Sequence, residues 1–232
     1  MRFSATTPIA VLHVGTAPAA DPVVQPGYVN DGDPIVMTFS ATGSPAPTAT
    51  FEFSPDGTHW FEVPDANVTT TGDRTTVSVD IFAPIEADGW QTRAHFTNAL
   101  GTTTTDAYVL HVGTAPTADP VVQPGYVNDG DPIVMTFSAT GSPAPTATFE
   151  FSGDGTHWFE VPDANVTTTG DRTTVSVDIF APIEADGWQT RAHFTNALGT
   201  TTTDAYVLHV GTAPPPTPSS NPATSTTATP SS

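Results

Sequence analysis

The chain has 232 residues and carries 24 acidic side chains against five arginines, with no lysine and no cysteine, for a formal charge of −19. So dense a negative field repels phosphate backbones and anionic headgroups and argues against nucleic acid or a membrane surface as partner. The missing residue types exclude disulfides, thiolate metal sites, thiol nucleophiles and lysine–asparagine isopeptide cross-links.

At the N-terminus, residues 1–20 have a basic start, an apolar middle and small residues, the outline of a short signal peptide. Their apolar part, Val11–Val14, is however the string VLHV that returns at Val109–Val112 and Val207–Val210, each time followed by GTAP. It is therefore read as the last strand of a preceding unit, with residues 1–18 holding that strand and a connector, and the chain as a piece of a longer array. Residues 11–108 recur as residues 109–206, changed only at Ala19 to Thr117 and Pro55 to Gly153. Such a period is too long for a stacked solenoid unit and is the size of a domain with its own core. Two domains follow, over residues 19–113 and 117–211, joined by the proline-bearing connector Gly113–Pro120. No apolar run approaches the ~18 residues of a membrane-spanning helix.

Within the first unit, Pro22–Pro26 (PVVQP) reads as a proline-bounded edge strand and Asn30–Pro34 (NDGDP) as a turn. Ile35, Met37, Phe39 and Ala41 then alternate with polar neighbours and share one face. The same parity turns Ala49, Phe51 and Phe53 inward, and after the hairpin Ser54–Gly57 it turns in Val77, Val79 and Ile81, then Thr92, Ala94 and Phe96, and finally Tyr108, Leu110 and Val112. No stretch shows a helical period of useful length. About seven or eight short strands per unit make an antiparallel β-sandwich.

The spacing Phe39-x-Ala41-x-Gly43-x-Pro45-x-Pro47, then Phe51, Asp88 and Ala94-x-Phe96-x-Asn98-x-x-Gly101, resembles the I-set branch of the immunoglobulin superfamily, in particular its cysteine-free bacterial tandem relatives on secreted and surface proteins. The second copy repeats it at Phe137, Ala139, Gly141, Pro143, Pro145, Phe149, Asp186, Ala192, Phe194, Asn196 and Gly199. The resemblance implies an all-β chain of two tandem immunoglobulin-like sandwiches, with Phe39 and Ala94 where the family pairs cysteines and Phe51 where it has tryptophan. Burying a phenylalanine contributes about 2–3 kcal/mol, comparable with the ~2–4 of a disulfide, so the exchange is energetically sound. The family's corner tyrosine is replaced by Thr92, and Trp90 is expected to pack that end. The expected core is thus Phe39, Phe51, Trp90, Ala94 and Phe96, with Phe137, Phe149, Trp188, Ala192 and Phe194 in the second unit.

Few residues offer chemistry. The hairpin Ser54–Val63 resembles an S-x-D-x-G-x-x-W turn, read as structural, and strand parity leaves one of Trp60 and Phe61 (Trp158 and Phe159) pointing outward as a candidate contact for a sugar or a protein. Asp31, Asp33, Glu86, Asp88 and Asp119 fall in loops or the connector, where some tandem adhesion domains hold calcium, but their spacing matches no calcium loop and solvated turn or capping roles are preferred. His59, His95 and His111 form no ligand pair, and no nucleophile elbow, phosphate loop or spaced carboxylate pair occurs. Asn67–Thr69 and Asn165–Thr167 match a glycosylation sequon that carries little weight in a bacterial chain. Residues 212–232, rich in Pro, Ser and Thr, lack the apolar bulk for a core and read as a disordered stalk. The expectation is a non-enzymatic, cofactor-free spacer array, extracellular or at a cell surface, whose cis partners are neighbouring repeats. The alternatives are an adhesion or glycan-binding module acting by repeated weak contacts with a glycan or host protein, or a phage decoration or fibre component.

Overall fold

A computed structural model of the chain describes residues 12–25, 27–123 and 125–212. The expectations for residues 213–232, and for the beginning of the chain up to residue 11, lie outside the described residues. The first unit holds β1 (Thr16–Ala20), β2 (Val29–Asn30), β3 (Pro34–Ser44), β4 (Thr48–Ser54), β5 (Phe61–Glu62), β6 (Asn67–Thr71), β7 (Arg74–Phe82), β8 (Gln91–Asn98), β9 (Gly101–Thr104), β10 (Tyr108–Val109) and β11 (Val112–Ala118). One sheet has the order β1-β3-β7-β6 and the other β10-β8-β4-β5, with β9 also on β8. The second unit repeats the plan as β12 (Val127–Asn128), β13 (Pro132–Ser142), β14 (Thr146–Ser152), β15 (Phe159–Glu160), β16 (Asn165–Thr169), β17 (Arg172–Phe180), β18 (Gln189–Asn196), β19 (Gly199–Thr202), β20 (Tyr206–Val207) and β21 (Val210–Gly211). The chain is two tandem immunoglobulin-like antiparallel sandwiches.

The period-2 pattern explains the layers. Along β3, Ile35, Met37, Phe39 and Ala41 are buried while Val36 and Thr38 face water. Phe39 lies tilted against Phe51, ring centroids 5.5 Å apart, and edge-on to Tyr108 at 6.4 Å. Ala94 stands beside Phe51 in the register of β4 and β8. Phe137 repeats both contacts, at 5.5 Å to Phe149 and 6.4 Å to Tyr206. These aromatic trios occupy the middle of each core. Tyr108 reaches the corner from the closing strand, opposite Thr92 in the β10–β8 register, and burial raises its hydroxyl pKa. Thr92 is itself buried.

Three expectations need correction. The described part of Pro22–Pro26 forms no strand. Its prolines cannot donate to a ladder, and Gln25 pairs through its side chain instead, giving a hydrogen bond to the Ala107 carbonyl at 2.8 Å and accepting one from the Val109 N–H at 2.9 Å. The opening strand lies earlier, at Thr16–Ala20, so residues 16–18 belong to the first sandwich and not to a connector. Trp188, expected in the core, is exposed, whereas its counterpart Trp90 packs partly buried against the first core. Trp188 lies next to Gly153, where the first copy has Pro55. The smaller residue leaves the indole uncovered on that side.

Candidate functional site

The expected connector Gly113–Pro120 is the largest departure from the sequence reading, because most of it is strand. Val112 and Gly113 pair in parallel with Val29 and Asn30 of the first sandwich. The same strand runs on, with a shift of register between Thr114 and Thr117, and Thr114, Thr117 and Ala118 pair antiparallel with β13 of the second. One strand therefore closes one domain and opens the next. A Cβ at Gly113 would overlap the backbone carbonyl oxygen of Ser142, just as one at Gly15 would overlap that of Ser44, so glycine is what lets the opening strand of each sandwich approach its neighbour so closely. Beyond the crossing, Asp119 anchors the strand by accepting hydrogen bonds from Ser138 Oγ at 2.5 Å and from the Arg172 guanidinium. Arg172 also donates to Ser138 Oγ at 2.6 Å. Asp21, Ser40 and Arg74 form the same cluster in the first sandwich. In both, the hydrogen bond from the serine hydroxyl is the largest cause; burial opposes it, and the arginine's hydrogen bond and charge tip the balance, so the aspartate stays below its ordinary pKa.

The calcium candidates do not converge. Asp31 accepts the Ile85 N–H at 2.9 Å, Asp33 the Asn30 side-chain amide at 3.1 Å, and Asp88 the Val112 N–H at 2.9 Å. Glu86 lies in the short 3₁₀ turn Ile85–Ala87. Asp119 belongs to the arginine cluster just described. Among the described residues, no three His, Asp or Glu side chains are grouped to hold a metal ion.

The hairpin after β4 is built on Asp56, whose carboxylate accepts the backbone N–H groups of Thr58 and His59 at 2.8 and 2.7 Å and lies 2.6 Å from His59 Nδ1. These donors, the His59 N–H foremost, drive the Asp56 pKa far below the carboxylate range, and the Asp56 carboxylate in turn raises that of His59. Gly57 supplies the positive φ of +73° that the turn requires. Past the turn, Trp60 is half-buried with the Arg93 guanidinium 3.8 Å over its ring, while Phe61 is exposed. Arg93 and His95 both contact Glu52, each at 2.9 Å. Burial raises the Glu52 pKa, but the hydrogen bonds from Arg93 and His95 outweigh it and the net shift is downward. Phe61 leans on Phe53, which stacks on Trp90 at 5.5 Å. That ladder borders an apolar cleft of about 300 Å³ between the sheets, lined by Met37, Val63, Val79, Ile81 and Leu110 among others; the second domain has one of about 200 Å³. Of the outward aromatics expected from parity, Phe61 and Phe159 are thus the open ones, and Trp60 and Trp158 are capped by Arg93 and Arg191. The sequence held no signal for the stacking arginine.

No known family profile matches the chain. It is 32% identical over 201 residues to "Endoglucanase C" of Cellulomonas fimi, a match that takes in 85% of this chain and 16% of that protein. The chain thus spans about a sixth of that relative's length. Among solved structures it resembles the I-band fragment I67-I69 of titin, with a TM-score of 0.58 at 17% identity over 84% of this chain and 65% of the titin fragment. An E-to-A variant of the same fragment also gives 0.58, at 15% identity over 84% and 66%. The likeness to titin is one of fold, carried by tandem immunoglobulin-like domains. No helix among the described residues is long and apolar enough to cross a membrane.

Proposed function

We propose that the chain is a non-catalytic spacer within a secreted or surface protein, in which each sandwich holds its neighbour at a set distance. The observation that carries this reading is the single strand Val112–Ala118, which leaves no free linker residue between the two domains. A flexible connector lets domains rotate independently; a paired strand fixes the step through backbone hydrogen bonds on both sides. Sandwiches whose longest strands run eleven residues, as Pro34–Ser44 does, at ~3.3 Å per residue extend roughly 35 Å each. The near-identity of the two copies supports length over specialised faces, and the endoglucanase relative supports a modular place beside other domains.

Because the chain has no cysteine, Thr69→Cys and Thr167→Cys, at equivalent exposed positions of β6 and β16, can carry a pair of spin labels. A narrow inter-label distance distribution that broadens when a Gly-Ser segment is inserted after Gly113 supports the spacer. A distribution already as broad in the unmodified junction refutes it. A second reading, repeated weak contact with a glycan or protein, is favoured by the exposed Phe61 and Phe159 at equivalent places. It requires that two domains bind more tightly than one and that Phe61→Ala with Phe159→Ala abolishes the gain.

A further inference from the structure

Each sandwich carries an apolar cleft in the same place, between its sheets. The first, about 300 Å³, is lined by Met37, Val79, Ile81 and Leu110, with the stacked rings of Phe53 and Trp90 along one wall. It reaches the surface at Phe82, which is 74% exposed. The second repeats this lining at about 200 Å³, its wall the stacked Phe151 and Trp188. Folded interiors keep few voids larger than a water molecule, so a cleft of this size sets each sandwich apart from a closed core. Its lining favours an apolar guest over water, which needs about two to four polar partners.

One polar group lies in that lining. Thr92 is 3% exposed, and among the described residues its hydroxyl has a single partner, Met37 Sδ on the opposite sheet at 3.8 Å. A thioether is a weak acceptor, so the hydroxyl keeps most of its donor strength for a better one. The other buried serines and threonines of the unit are engaged by oxygen or nitrogen: Ser54 donates to Asp56, Thr75 donates to the Pro47 carbonyl, and Thr105 accepts the Ala94 N–H. Thr190 stands in the second cleft as Thr92 does in the first, 3% exposed and 3.8 Å from Met135 Sδ. We infer that each cleft is a binding site for a small neutral molecule with an apolar ring and one acceptor oxygen, of the aryl ketone, aldehyde or ester class. The ring lies along the stacked aromatic wall, and the threonine turns its hydroxyl from sulfur to the ligand's oxygen. Apolar cavities of about 150 Å³ admit a benzene ring, so both clefts hold a ring with a short substituent. The formal charge of −19 disfavours an anionic guest such as a carboxylate. This inference does not depend on the spacer reading, because ligand binding and stiffness are measured separately.

Two of the chain's three methionines line one cleft each, Met37 the first and Met135 the second, so their methyl groups report the sites separately. Full-length chain labelled with carbon-13 at the methionine methyls and titrated with acetophenone should show saturable shifts of both resonances. Ethylbenzene has the same shape without the carbonyl and should bind both clefts more weakly. Thr92→Val keeps the side chain's shape and removes its hydroxyl. It should weaken acetophenone at Met37 by about three- to tenfold, the range of one hydrogen bond, while ethylbenzene binding there, and both ligands at Met135, stay as in the parent. Thr190→Val should give the converse. Shifts that do not saturate up to the solubility limit of acetophenone, a Thr92→Val chain that binds acetophenone as the parent does, or one that loses both ligands equally would each overturn the proposal.

Discussion

Replacing Phe39 with alanine tests whether each sandwich stands on its own aromatic centre. Phe39 is buried in β3 and touches two rings of the opposite sheet, Phe51 and Tyr108. Truncating such a side chain removes its transfer free energy and leaves a cavity, about 3–5 kcal/mol together. Domains of this size are stable by about 5–15 kcal/mol, so the loss takes at least about a fifth of that stability. At roughly 4–8 °C per kcal/mol for up to about 100 residues, the first domain should melt at least about 12 °C lower.

The second domain supplies the internal reference. Its centre, Phe137 against Phe149 and Tyr206, is untouched, and β11 pairs with β13 through residues other than the Val112 and Gly113 that pair with β2. Scanning calorimetry of Phe39→Ala should therefore show two transitions, one displaced and one at the parent temperature, and Phe137→Ala should give the converse. A single transition that moves as a whole would mean that the two cores melt as one, and a shift equivalent to less than about 1 kcal/mol would mean that the ring does not close the sandwich.

Acid should destabilise the fold in a defined window. Asp21, Asp119, Glu52 and Glu150 have folded pKa values below their ordinary ones, so their contribution is complete above about pH 5 and is lost as pH falls through and below 4. Thermal melts across that range should show the decline, and Arg74→Met with Arg172→Met should flatten part of it. Gly113→Val should cost about 1–3 kcal/mol in chemical denaturation through its clash with Ser142, while Gly125→Ala, with nothing within 4 Å of the added carbon, should be tolerated. Millimolar calcium should leave the melting temperature unchanged, since Asp31, Asp88 and Asp119 are engaged elsewhere; a real site, with calcium at about a hundred times its Kd, would add about 2.7 kcal/mol.

The sandwich was legible in the sequence because strand parity is local: Met37, Phe39 and Ala41 point one way whatever surrounds them. The shared strand was not, because Gly113, Pro116 and Pro120 are the residues that mark a loop in isolation. Here Pro116 is buried within β11 and Gly113 marks a backbone crossing instead of a turn. Pairing to β2 on one side and β13 on the other decides the matter, and both partners are distant in sequence. The exposed aromatic was ambiguous for a similar reason. Parity left Trp60 and Phe61 as equal candidates, and the Arg93 guanidinium from a neighbouring strand chose between them.

One eight-residue string, VLHVGTAP, therefore does three jobs in the array. Its leucine and valines complete a core, its glycine passes under a carbonyl, and its TAP opens the next sheet. A side chain at Gly113, which pairs with Asn30 of one sandwich and lies against the Ser142 carbonyl of the other, disturbs two domains at once, whereas most loop changes disturb none. That double constraint accounts for three identical copies of the string without any ligand. The same economy carries a hazard, because a closing strand that fits every sandwich equally can be supplied by a neighbour or by another molecule.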